Sequence, residues 1–225
     1  MDTNIGAKER VTQNRLIGLF KNVLKYTCLG NWETREGNVN IEEKLLTAYL
    51  SRCGYTDKEI RGAIAKLKQA ANSLGGGLYN ANKEVYTLLR YGVNVQAEVT
   101  EKKKMVHLID WANPMENDLQ IAEEVTIQGE SDRRPDLVVY VNGIALAVIE
   151  LKRSTVSAHE GIRQNIRNQQ DGYIPRFFTT IQLLFAGNDT EGLHYGVIKT
   201  PEKFWLRWKE PCGEPCQPSR PRQIR

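Results

Sequence analysis

Arg134-Pro135-Asp136 opens the stretch RPDLVVYVNGIALAVIELK, residues 134–152, which closes on Glu150-Leu151-Lys152. Between the two acids the chain is apolar except for Asn142-Gly143. Both halves are β-branched and aromatic, so each reads as a central strand, and Asn-Gly is the strongest short hairpin signal. Two carboxylates and an ammonium are thereby carried on adjacent, mostly buried strands. Burying charges without partners costs several kcal/mol, so such a set should be paired, hydrated or metal-bound. Acid, acid and lysine on one hairpin suit Mg²⁺-dependent phosphodiester cleavage. Mg²⁺ takes oxygen ligands and is typically held by one or two carboxylates plus substrate phosphate. Asp136 and Glu150 are the candidate ligands, with the Leu151 backbone carbonyl between acid and lysine as a third. Lys152 points to the same strand face as Glu150. Its ammonium could orient or help deprotonate a water, or stabilise developing negative charge.

Register tests this reading. A strict two-residue Asn142-Gly143 turn pairs Asp136 with Ile149 and sends Asp136 and Glu150 to opposite faces. A three-residue loop, Asn142-Gly143-Ile144, pairs Asp136 with Glu150. A bend at Pro135 could also re-aim Asp136. A shared site requires one of the latter two arrangements.

The segment resembles the PD-(D/E)xK nuclease motif in the form found in restriction subunits of type I restriction-modification enzymes. LLRYGVNVQ, HLIDWANPMENDLQIAEEVTI, QLLFAGNDTEGLHYG and PEKFWLRW, in that order, extend the likeness from about Glu42 to Trp208. The resemblance implies a mixed α/β fold with an αβββαβ restriction-endonuclease-like core, and Mg²⁺-dependent cleavage of duplex DNA. It also implies work in a complex with modification and specificity subunits, driven by an ATP-dependent translocase. The sequence has no G-x-x-x-x-G-K-[ST]: Gly75-Gly76-Gly77 runs into Leu78, and Lys199-Thr200 lacks the preceding glycine. ATP therefore belongs to the full-length family context. The chain reads either as an amino-terminal fragment or as a truncated product, and a catalytically silent docking module is the alternative function.

Further site residues follow from the same resemblance. Family members often carry Q-x-x-x-Y on the helix after the hairpin. By distance from Lys152 the glutamine is Gln164, with Asn168 in the tyrosine position, while Gln169 and Tyr173 restore the pattern five residues later. Gln164 is the preferred match; a solvated polar helix face is the alternative. The family also often places a glutamate of the first core helix near the metal, and Glu42 suits that place. A first-turn glutamate that simply favours the helix dipole is the commoner explanation. Arg134, Arg153, Arg163 and Arg167 are candidate phosphate contacts in a locally basic neighbourhood, or ordinary surface charge.

Composition adds bounds. The chain has 225 residues, 40% hydrophobic and 26% charged, as in ordinary soluble domains, and its net charge of +4 gives little support to nucleic-acid binding by itself. Nothing approaches a membrane span, and the polar start lacks a signal-peptide core, so a cytoplasmic protein is expected. Cys28 and Cys53 sit in apolar helical patterns and read as small core residues. Cys212 and Cys216 lack a second ligand pair. Three parts are expected: a helical region 1–95 supplying the first core helix, a nuclease core 96–209, and a disordered tail 210–225. Helices are expected at Thr12–Cys28, Ile41–Cys53 (capped by Asn40), Thr56–Ser73, Asn82–Arg90 and about 155–170. Strands are expected near 93–99, 104–110, 119–127, 136–142, 144–151, 179–186 and 193–199. Phe204, Trp205, Leu206 and Trp208 should pack one end of the core.

Overall fold

Asn142 (φ 53°) and Gly143 (φ 80°) both adopt the left-handed conformation that a tight two-residue hairpin turn requires. Around this hairpin the computed structural model describes residues 5–96 and 102–209. In chain order its elements are helix α1 (Ile5–Gly18), strand β1 (Thr27–Asn31), helices α2 (Glu43–Arg52), α3 (Asp57–Asn72) and α4 (Leu78–Tyr91), and strands β2 (Val93–Val95), β3 (Lys104–Val106), β4 (Leu119–Glu123), β5 (Leu137–Val141) and β6 (Ile144–Leu151). Helix α5 (Ala158–Asn168) and strands β7 (Leu183–Asn188), β8 (Gly192–Gly196) and β9 (Leu206–Arg207) follow.

The fold is mixed α/β. A seven-stranded sheet runs β1-β4-β5-β6-β7-β8-β9. Strands β4, β5 and β6 form an antiparallel meander, and β7 returns parallel to β6 after the α5 crossover. Alternation along each strand sends Val138, Val148, Leu184 and Ala186 to the α5 face, where they pack with Ile162. Ile121, Leu137, Ala147, Ile149 and Leu151 go to the other face, against Leu16 and Ile17 of α1 and Phe20 just beyond it. The sheet is thus a layer between α1 and α5, as expected for strands that read as apolar on both faces.

Several boundaries differ from the sequence reading. The expected helix Thr12–Cys28 is instead α1, a π-helical turn at Leu19–Val23 and the edge strand β1. Strand β1 takes its order from parallel pairing with β4, not from its own weak pattern TCLGN. The division at residue 95 is also crossed, because β2 pairs antiparallel with β3. Together with α2–α4 these two strands enclose a separate apolar cluster from Ile41 to Ile109, which meets the sheet at Ile144. The amino-terminal region therefore supplies both a sheet strand and a helical lobe. Residues 210–225, expected as a disordered tail, lie outside the described residues.

Local details shift too. Asn40 does not cap α2: Glu42 holds that position, and the Asn40 amide donates to Arg176 O and Thr179 Oγ1. Cys53 is exposed and Cys28 half-buried. Of the carboxyl-terminal side chains expected to pack the core, Trp205 is buried, while Phe204, Leu206 and Trp208 are exposed. No helix of the described residues is long and apolar enough to cross a membrane.

Asn142 does more than turn the chain. Fully buried, it accepts from Asp118 N (2.7 Å) and donates to Leu108 O (2.9 Å) and Asn117 Oδ1 (2.8 Å). It thereby ties the hairpin tip to the segment entering β4. Replacing it by Ala strands the Asp118 N–H and the Leu108 carbonyl, each worth about 1–3 kcal/mol when buried and unmet, whereas Asn117 Oδ1 still accepts from Asp110 N (2.9 Å). Asn142→Ala is therefore expected to lower stability by roughly 2–4 kcal/mol, read as a drop in the urea midpoint at unchanged slope.

Candidate active site

The turn has two residues, yet the carboxylates are not sent to opposite faces. Val141 pairs with Ile144 and Tyr140 with Ala145, as a regular turn dictates, but Val139 then pairs with Ala147. Leu146 is the extra residue of a β-bulge. Beyond it the register is Val138 with Val148 and Leu137 with Ile149. Continued by one residue, it sets Asp136 beside Glu150. Neither the expected three-residue loop nor a bend at Pro135 is responsible.

A direct contact supports that placement. The Leu151 N–H donates to Asp136 Oδ2 at 2.6 Å. That donor faces β5, where the next ladder partner would lie near Pro135, whose carbonyl is already taken by Val125 N (3.0 Å). The side chain of Asp136 takes the place of the missing rung. On the next peptide, Lys152 N donates to Gly187 O (2.9 Å) on the β7 side. A trans peptide points its C=O opposite to its N–H, so the Leu151 carbonyl is turned toward Asp136.

Glu150 has no exposed surface. Its neighbours make room for a carboxylate by being small. Ala186 is its partner on β7, and Gly161 of α5 lies over both. A Cβ at Gly161 would stand 3.1 Å from Ala186 Cβ and 3.5 Å from Glu150 Cβ. Directly paired antiparallel neighbours have Cβ atoms about 5 Å apart, so the two acids repel unless a cation or proton intervenes. Two carboxylates flanked by an inward carbonyl form an all-oxygen set of the kind Mg²⁺ accepts. Among the described residues no group of three or more His, Cys, Asp or Glu side chains could hold a metal. Lys152 is half-buried, two residues along the same face.

The other expected residues divide. Gln164 is half-buried one turn beyond Gly161. Helical spacing puts it on the flank of α5 away from Arg163, on the β5–β6 side. Gln169 is buried elsewhere, donating to Asn165 O (2.9 Å) and accepting from Lys199 N (2.7 Å). Tyr173 lies under the Arg133 guanidinium, 4.2 Å from the ring centroid, and borders a cavity of about 470 Å³ lined by neither Asp136 nor Glu150.

Glu42 is not at this site. Its N–H donates to Gly143 O (2.8 Å), at the turn end of the hairpin. At about 3.3 Å per residue that is roughly 20 Å from Glu150. Its carboxylate is held by two bonds from Arg35, 2.8 and 2.6 Å. The first helix packed on the sheet is α1, not α2. Two candidate phosphate contacts are similarly committed. Arg134 pairs with Glu33 and with Glu124 (3.0 Å). Arg163 meets Glu202 through two bonds of 3.0 Å and Glu160 at 2.6 Å, on the β8–β9 flank. Arg153 is half-buried and Arg167 exposed.

One feature escaped the sequence reading altogether. The β7–β8 turn clamps the segment leaving Lys152. Asn188 donates to Val156 O (2.7 Å), and Glu191 accepts from Ser157 Oγ and Ala158 N at the start of α5 (both 3.1 Å). Asp189 accepts from Thr12 of α1 (2.7 Å) and pairs with Arg15. Side chains of Asn, Asp and Glu in one turn would be the only sequence signal, and turns are polar everywhere.

The family profile described as type I restriction enzyme R protein N terminus matches residues 7–203. The chain belongs to that family. Among its relatives are a putative type I restriction enzyme endonuclease subunit, MjaIXP, of Methanocaldococcus jannaschii, 30% identical over 134 residues (56% of this chain and 12% of the relative), and a second, MjaVIIIP, of the same organism, 26% identical over 163 residues (70% and 15%). The type I restriction enzyme EcoprrI endonuclease subunit of Escherichia coli is 26% identical over 109 residues (46% and 35%). The chain thus spans only about an eighth to a third of these relatives.

His194, in line with Ala186 and Glu150 across the sheet, has its pKa lowered, first by burial and then by nearby His159. The unfolded chain then takes up its proton first. Stability should be full above the ordinary histidine value of about 6.5 and fall as pH drops below it. His194→Gln should flatten that part of the unfolding-midpoint profile.

Proposed function

We propose that this chain is the endonuclease portion of a type I restriction enzyme R subunit, hydrolysing phosphodiester bonds of duplex DNA with Mg²⁺ and without sequence preference of its own. The observation that carries the reading is the bulge-corrected register, which sets Asp136 beside Glu150 with Lys152 on the same face. The order helix, three antiparallel strands, helix, parallel strand supports a PD-(D/E)xK core in which α1 is the first helix. The names of the relatives support the restriction context.

In this proposal Asp136, Glu150 and the Leu151 carbonyl hold the ion. Bound there, Mg²⁺ would supply Lewis acidity, making water more acidic and offsetting charge on the phosphate. The Leu151 N–H fixes Asp136, so one carboxylate is oriented before substrate arrives. Lys152 carries the proton-handling and charge-stabilising role beside the attacked phosphorus, since an ammonium can orient water and stabilise an oxyanion. Gln164 reaches toward the same space from α5 and positions water or phosphate through its amide. Arg153 and Arg167, which have solvent-facing surface, contact phosphates flanking the cut. The ATP-driven motor that the resemblance implies is not carried by these 225 residues, which have no G-x-x-x-x-G-K-[ST] sequence. Modification and specificity subunits supply the recognition, and the complex works in the cytoplasm.

The test pairs calorimetric titration of Mg²⁺ or Mn²⁺, with and without duplex DNA, with a cleavage assay. Asp136→Ala and Glu150→Ala should abolish metal binding, and each of these variants and Lys152→Ala should cut cleavage by at least about a hundredfold at unchanged circular dichroism. Cleavage retained in two of the three would remove the assignment. Absence of metal binding in the wild type even with DNA present would favour a silent docking module.

A further inference from the structure

Helix α4 buries Leu78, Ala81, Val85 and Leu89 and turns its opposite side outward. On that side Tyr79, Lys83, Tyr86 and Arg90 follow one another at spacings of four, three and four residues. At 100° and 1.5 Å per residue they occupy a strip about 60° wide and about 16 Å long. Tyr79 is 61% and Tyr86 46% exposed, and both cations face solvent. Glu84 lies roughly 130° round the helix, so no carboxylate of α4 interrupts the strip. At its carboxyl end the Arg90 guanidinium stands 5.8 Å from the Tyr91 ring and 5.5 Å from that of Trp111. Trp111 is held in place by its Nε1–H, which donates to Leu89 O (2.8 Å).

Single exposed aromatics are ordinary, but rings and cations alternating in one line are not explained by chance exposure. A protein partner would favour an apolar centre depleted of charge. An alternation of ring and cation instead matches an unpaired nucleic-acid strand, which offers base faces for stacking and phosphates between them. We infer that the outer strip of α4 binds a single strand of nucleic acid. The strip is separate from the carboxylates. Asn82 of α4 donates to the carbonyls of Phe178, Thr179 and Ile181 ahead of β7, whereas Glu150 pairs with Ala186 well along that strand. The inference therefore stands apart from the cleavage proposal.

Fluorescence anisotropy of a labelled oligothymidylate, in EDTA so that nothing is cut, tests it. The wild-type chain should bind. Tyr79→Ala/Tyr86→Ala, both on exposed positions, should weaken binding by at least about 30-fold, since each of the two stacked bases contributes about 1–3 kcal/mol. Lys83→Gln/Arg90→Gln should reduce the slope of log affinity against log salt by about 1.4, at about 0.7 per phosphate contact. The inference is overturned if the wild type does not bind or if the tyrosine variant binds equally. It is also overturned if the strip proves to mediate self-association in sedimentation while the oligonucleotide is ignored.

Discussion

The bulge at Leu146 is the constraint on which the candidate site depends. A tight Asn-Gly turn fixes the phase of the first two β5–β6 pairs. With that phase kept, Glu150 would face α1 and Asp136 would face α5. One residue with no partner reverses the alternation and brings both acids to the α5 face. The surrounding structure holds the bulge in place. Leu146 packs toward the helical lobe, and its carbonyl accepts from Gln182 N (2.8 Å) just before β7 begins. The lobe and the parallel strand therefore stabilise an irregularity that the hairpin alone has no reason to prefer.

The site itself is assembled from elements distant in sequence. The hairpin supplies the charged groups, α5 supplies the absence of a side chain at Gly161, and β7 supplies Ala186. The turn after β7 then holds the exit from Lys152 and the start of α5, and fastens α1 through Asp189. Two carboxylates so close are unfavourable by themselves. Such strain is typical of sites whose ligand restores the balance, and the local stability cost is borne by the apolar layers on both faces of the sheet.

Much of this was legible in the sequence. The strands 137–141 and 144–151, their turn, the helices α3 and α5 and the acid-acid-lysine set follow from periodicity and residue type. What was not legible depends on contacts between distant segments. The bulge is chosen by the lobe and by Gln182, neither of which leaves a mark on residues 144–149. Strand β1 is short, polar and defined by β4. Glu42 carries the pattern of a first-turn acid, but its place is set by Arg35 and by the hairpin tip. Arg134 and Arg163 look like free cations until Glu33, Glu124 and Glu202 are brought beside them. Local rules name the groups, and long-range pairing decides which of them meet.

The bulge also gives the hairpin a one-sided tolerance to changes of length. Strand β6 has one residue more than its partner needs. A chain lacking that residue would pair without irregularity and would still set its aspartate opposite its glutamate, losing the contact of Leu146 with the lobe and the bond from Gln182 N to its carbonyl. A chain with one further residue has no second place to hide it, and its glutamate would turn to the α1 face. Hairpins of this kind should therefore occur in two lengths, bulged and regular, with the same pair of acids at the end.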